Sequence, residues 1–129
     1  MPSAKRQIAA LTATLLLAAP WATAEARGLN EGYVAIGEGT RSCLEFVQTR
    51  GKGGINEQRF ITWLEGYLSA VNLTTDNTWS ILGARDLRYA LNWLEGHCRQ
   101  NPTQAFSDAA AALTVQLYPG RYNMPPTRP

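Results

Sequence analysis

Apolar positions recur along the chain at helical spacing in three long stretches and one short one, and no stretch alternates with the period of two that a half-buried strand needs. Phe60, Trp63, Leu64, Tyr67, Leu68 and Val71 fall on one face of a helix that Asn56 is suited to cap, with Glu57 at the positive end of the dipole. Gly66 and Ala70, four apart on the same helix, predict a place where another helix comes close. Leu87, Ala90, Leu91, Leu94 and Cys98 form a second stripe behind Asp86, a good N-cap, and that helix should stop at Asn101 because the next residue is proline. Phe106, Ala109, Ala110, Leu113 and Leu117 form a third, expected to open at Pro102 or Thr103 and to end at Pro119-Gly120. Ser42 to Glu45 fits a capping box, which predicts a short helix to Thr49 with Cys43, Phe46 and Val47 inward. Gly51-Lys52-Gly53-Gly54 breaks it.

The expected fold is therefore all-α, a small bundle of about four helices over residues 42–118. Residues 25–41 read as an extended lead-in and residues 119–129, rich in proline, as a flexible tail. Residues 72–83 read as a loop holding one tryptophan, Trp79. Asn72-Leu73-Thr74 in that loop matches a glycosylation sequon, a short pattern that arises readily by chance.

Met1 to Ala24 carries the three parts of a secretory signal peptide. Lys5 and Arg6 start it, Ile8 to Ala19 is uncharged and apolar, and Ala22-Thr23-Ala24 ends it, so cleavage is expected before Glu25. The apolar run is well short of the ~20 residues that span a bilayer, so no stable membrane anchor is expected. The expected location is the periplasm. Removing Lys5 and Arg6 leaves the basic and acidic side chains balanced, with Lys52 the single lysine. No basic stripe remains for nucleic acid, and none is expected to bind.

Export changes the reading of the two cysteines. In an oxidising compartment Cys43 and Cys98 are most simply one disulfide. Closing that loop removes about 4 kcal/mol of unfolded-state entropy in the chain-entropy model. A disulfide leaves no thiolate for His97, the only histidine, to activate. One histidine and two distant cysteines also match no common zinc spacing, so neither a metal nor a cofactor is expected. None of the familiar catalytic motifs occurs, and a non-enzymatic role is expected.

Two features remain. Trp63-Leu64-Glu65-Gly66 returns as Trp93-Leu94-Glu95-Gly96, which would place two carboxylates and two tryptophans around a sugar if the copies faced one cleft; otherwise it is core packing. Trp79, on an exposed loop, is the candidate for contact with a partner.

The signal peptide, Cys43-Leu44-Glu45-Phe46 opening the first helix, the small residues Gly66 and Ala70, and Cys98 ahead of an amphipathic helix around Phe106 together resemble the HdeA-like family of small periplasmic helical proteins. The resemblance covers most of residues 42–118. It implies a four-helix fold with one disulfide and, for its best-known members, acid-activated chaperoning of other polypeptides; a homodimer is one form expected of this chain. Those chaperones are lysine-rich, whereas this chain uses arginine. The outline is also similar to exported immunity proteins of the Rap/Tai kind, which implies instead one specific protein partner.

Overall fold

The computed structural model describes residues 33–127, so the expected signal peptide lies outside the described residues. Four helices make the domain: α1 (Cys43–Thr49), α2 (Gly54–Thr74), α3 (Leu87–Gln100) and α4 (Phe106–Leu117). The all-α reading holds, and no strand occurs among the described residues beyond two isolated bridges.

The capping box forms as its residues dictate. The Ser42 hydroxyl accepts from the Glu45 amide at 3.3 Å, and the Glu45 carboxylate accepts from the Ser42 amide at 2.9 Å. The remaining orphan amides of α1 are met from far along the chain. Cys43 N–H donates to the Gln104 carbonyl at 2.8 Å and Leu44 N–H to that of Pro102 at 2.9 Å, while Phe106 N–H returns to Arg41 O at 2.8 Å. Residues 102–105 are thus held as a turn capping α1. For that reason α4 starts at Phe106 and not at Pro102 or Thr103.

At α2 the expected cap is displaced. Gly51, Gly53 and Gly54 all have positive φ (72°, 66° and 84°), and this backbone enters the helix two residues before Asn56. Gly53, the N-cap, has no side chain to offer, and Glu57 supplies the missing acceptor from inside the first turn. Asn72 also falls within α2, where its Oδ1 accepts from Ile81 N–H at 2.6 Å and draws Ile81 into the core.

The apolar stripes meet as their spacing predicts. Phe46, Phe60 and Phe106, from three helices, form a ring cluster with centroids 4.7 to 5.4 Å apart, and all three are fully buried. Leu64, Leu94, Leu113 and Leu117 pack around it. Cys43 and Cys98 are joined, with Cα atoms 4.8 Å apart, stapling α1 to α3.

Three expectations are corrected. The end of the lead-in is not extended: Gly37–Thr40 is a 3-10 turn on which Gly39 is buried, and a Cβ there would enter the Trp63 indole. Trp63 Nε1 donates to Ile36 O at 2.7 Å and pins the segment. The start of the tail is anchored, since Tyr122 and Ser80 exchange backbone hydrogen bonds at 2.9 and 3.1 Å. Gly66 and Ala70 are exposed, and nothing lies within 4 Å of a Cβ built on Gly66. The close approaches are instead Gly39 on Trp63 and Gly83 on the Gly120 backbone.

Candidate functional site

Two clusters of polar and aromatic side chains lie outside the core. The first surrounds Arg50, the residue that caps the C-terminal end of α1. Its Nη1 donates to Glu57 Oε1 at 2.8 Å and its Nη2 to Asn92 Oδ1 at 3.2 Å, while Nε faces Glu95 Oε2 at 3.4 Å as an ion pair without an aligned hydrogen bond. Glu57 accepts further from the amides of Gly51 at 3.0 Å and Gly53 at 2.8 Å. Glu95 also takes Arg99 Nη2 at 2.6 Å. The backbone bond from Gly51, with those from Gly53 and Arg50, holds the Glu57 carboxyl below the usual carboxylate range despite its burial. Arg99 does the same for Glu95, and the Ser42 amide for Glu45.

The glycosidase-like reading finds no support in this geometry. Glu95 is neutralised by two arginines and held ionised, the reverse of a general acid. Glu65 is exposed on α2, which packs with α3 mainly through α1 and α4. In the two W-L-E-G copies the tryptophans pack at the edge of the core, stacked on Tyr67 and His97, and the leucines pack within it. His97 Nε2 pairs with Gln104 Oε1 at 2.8 Å, and Cys98 beside it is fully buried in the disulfide.

The second cluster forms around Trp79, which is 48 % exposed on the loop after α2. Its amide donates to Tyr122 O at 2.7 Å, so the loop and the segment after α4 are one unit. Gly83, at φ +59°, lies against the Gly120 carbonyl, and Gly120 lies against the Arg85 guanidinium. Arg85 stands 5.0 Å from the Tyr89 ring centroid and Arg121 3.7 Å from that of Tyr118. These contacts join half-exposed Trp79, Tyr89, Tyr118 and Tyr122 to two stacked arginines at one end of the molecule. Sequence reasoning found Trp79 and missed the rest. The stacks of Arg85 on Tyr89 and of Arg121 on Tyr118 are local, but the meeting of the two segments depends on the tail folding back, and no local pattern signals that.

No group of acidic, histidine and cysteine side chains able to hold a metal occurs among the described residues, and none of their helices is long and apolar enough to cross a membrane. No family model, curated protein or solved structure matches the chain.

Proposed function

We propose that the protein is exported to the periplasm and binds other polypeptides without catalysis, as an acid-responsive chaperone of HdeA type. The observation that carries this reading is the chemistry of the fastenings around α1 and the start of α2. Glu45, Glu57 and Glu95 hold them as carboxylates with lowered pKa values. Such groups stabilise the fold above their unfolded pKa, and that stabilisation is lost as pH falls through the folded pKa. Acid therefore releases these contacts while the Cys43–Cys98 bond keeps α1 tied to α3. The rising positive charge opens what remains and exposes core surface to clients. Light scattering of an acid-unfolding client at pH 2–3 tests this. Suppressed aggregation is the expected result, and none at stoichiometric protein would sink it.

A second reading, an immunity or inhibitor protein, is favoured by the aromatic end around Trp79, whose half-exposed rings sit on a backbone pinned at Tyr122. It predicts a tight neutral-pH complex with one partner. Recovery of no stoichiometric partner from periplasmic extract would count against it.

A further inference from the structure

We propose that the groove holding Arg85 and Arg88, continued by Trp79, docks a carboxylate-bearing segment of a partner polypeptide at neutral pH. The proposal deepens the polypeptide-binding reading and rests on it.

Among the described residues, some arginines are paired with carboxylates and others are not. Arg41, Arg50 and Arg99 are taken up by carboxylates at 2.6 to 3.4 Å. Arg41 and Arg50 also lie over the Phe60 and Phe46 rings, whereas Arg85 and Arg121 have a ring, Tyr89 and Tyr118, but no carboxylate partner among the described residues. A guanidinium stacked on a ring is fixed in orientation, yet its edge N–H groups remain free to donate to a carboxylate in parallel. Arg121 spends its edge on the backbone, with Nε to Asn77 O at 3.2 Å and Nη1 to Tyr118 O at 3.0 Å. Arg85 makes no such bonds among the described residues. Its position is set by Tyr89 on one side and Gly120 on the other, where an added Cβ would come within 2.7 Å of Nη1.

Arg85 lines a groove of about 510 Å³ with Arg88, Tyr89 and Asn92. Arg88 is 84 % exposed and, among the described residues, meets only Asp86, at 3.8 Å. Asp86 is the one opposing charge in the groove, and its Oδ1 already accepts from Tyr89 N–H at 2.8 Å as the cap of α3. Asn92 gives its carbonyl oxygen to Arg50, which leaves its amide N–H groups as donors. Two cations and an amide against one engaged carboxylate complement an anion, and the planar guanidinium suits a carboxylate. Trp79 and Tyr122, both exposed, are tied to the groove by the backbone bond they share and by the Gly83–Gly120–Arg85 contacts. Tryptophan, tyrosine and arginine together are the composition of protein-binding hot spots. A formal net charge of only +2 over the whole chain argues against a nucleic acid as the anion.

The test is fluorescence anisotropy of a short labelled peptide alternating Glu or Asp with Leu or Phe, at pH 7 and near-physiological salt. A counterpart with Gln and Asn in place of the acids is run beside it. The acidic peptide should bind about tenfold more tightly than the amide one, and Arg85→Gln/Arg88→Gln and Trp79→Ala should each weaken it about five- to tenfold. Arg88→Gln alone, on an exposed side chain, should cost about two- to threefold and keeps the test independent of folding. Arg59→Gln on α2, outside the groove, should change nothing. Equal binding of both peptides, no binding of the acidic one, indifference to the variants, or equal displacement by an oligonucleotide overturns the proposal. If the peptide arms fail while the wild type still protects an acid-unfolding client, the groove falls and the polypeptide-binding reading stands. Failure of the wild type in both assays removes the reading itself.

Discussion

Replacing Glu57 with glutamine tests how α1 and α2 are held together. The wild-type carboxylate accepts three hydrogen bonds, from Arg50 Nη1 at 2.8 Å and from the Gly51 and Gly53 amides at 3.0 and 2.8 Å, with its side chain only 10 % exposed. Glutamine is nearly isosteric but has one acceptor oxygen, and its NH2 must face a donor. Bonds to a charged acceptor contribute about 1.5–3 kcal/mol each and neutral ones about 1, while a buried donor left unmet costs about 1–3 kcal/mol. Arg50 keeps Asn92 and Glu95, and the site is at the edge of the core, so the net loss should be about 2–3 kcal/mol, well short of losing all three bonds. For a domain of this size that lowers Tm by roughly 8–20 °C. Urea unfolding followed by tryptophan fluorescence at pH 7 measures it. The same experiment down the pH scale carries a second readout. Because the folded pKa of Glu57 is lowered, its contribution is complete above the unfolded value of about 4.3 and vanishes as pH falls through the folded one. The gap between wild type and Glu57→Gln should therefore be full at pH 7 and should close below about pH 4. A gap under ~0.5 kcal/mol at pH 7, within the scatter of ordinary surface changes, or one that persists unchanged to pH 2.5, refutes the reasoning.

Three further outcomes follow from the packing. Reduction of the disulfide, or Cys43→Ser with Cys98→Ser, should cost about 4 kcal/mol in the chain-entropy model, read as a lower urea midpoint than the oxidised protein. Gly66→Ala should be neutral or stabilise by up to about 1 kcal/mol, since the site is mid-helix, exposed and open, and a loss of stability would show a helix contact there after all. Gly83→Ala should be worse by about 1–3 kcal/mol, because it combines a positive φ with collision against the Gly120 carbonyl. Trypsin should then cut the chain at Arg121 faster than in wild type, whereas an unchanged digestion pattern would mean that the loop and tail are not held through this contact.

What was legible in the sequence was local. The Ser42-x-x-Glu45 box, the Asp86 cap and the stop before Pro102 each need only neighbouring residues, and each forms as read. The stripes on α2, α3 and α4 were legible because burial follows the helical period. The misreadings occur where a distant partner overrides a local preference. Asn56 is the better cap by type, yet three glycines with positive φ start α2 earlier and Glu57 reaches back to serve them. Thr103 would open a helix, but the carbonyls of Pro102 and Gln104 are already committed to α1. Gly66 carries the small-residue signal of close packing and faces open space, while Gly39 and Gly83, in segments with no periodicity, make the close contacts. The Arg85–Tyr89 and Arg121–Tyr118 stacks are local pairs, but their coming together was beyond reach for the same reason, because the loop after α2 and the segment after α4 are joined by the Ser80–Tyr122 pairing and the Gly83–Gly120 contact.

The distribution of fastenings around α1 has a consequence for how the domain gives way. This seven-residue helix is too short to be stable alone. It is held by two sets of contacts that respond differently to protons. The Ser42–Glu45 box and the Arg50 links to Glu57 and Glu95 depend on ionised carboxylates. The carbonyls of Pro102 and Gln104, the Phe46–Phe60–Phe106 rings and the disulfide do not. Acid thus weakens the C-terminal end of α1 and its passage into α2 on every carboxylate contact they have. The N-terminal end loses the bond from the Ser42 amide to the Glu45 carboxylate, but it keeps the Cys43 and Leu44 amides bonded to residues 102–104 and its sulfur bonded to α3. The helix is consequently expected to open from the Gly51–Gly54 turn, lifting α2 from a pair formed by α3 and α4. That exposes Phe60 and Leu64, the buried face of α2, on a chain that cannot disperse because Cys43 and Cys98 span the opening.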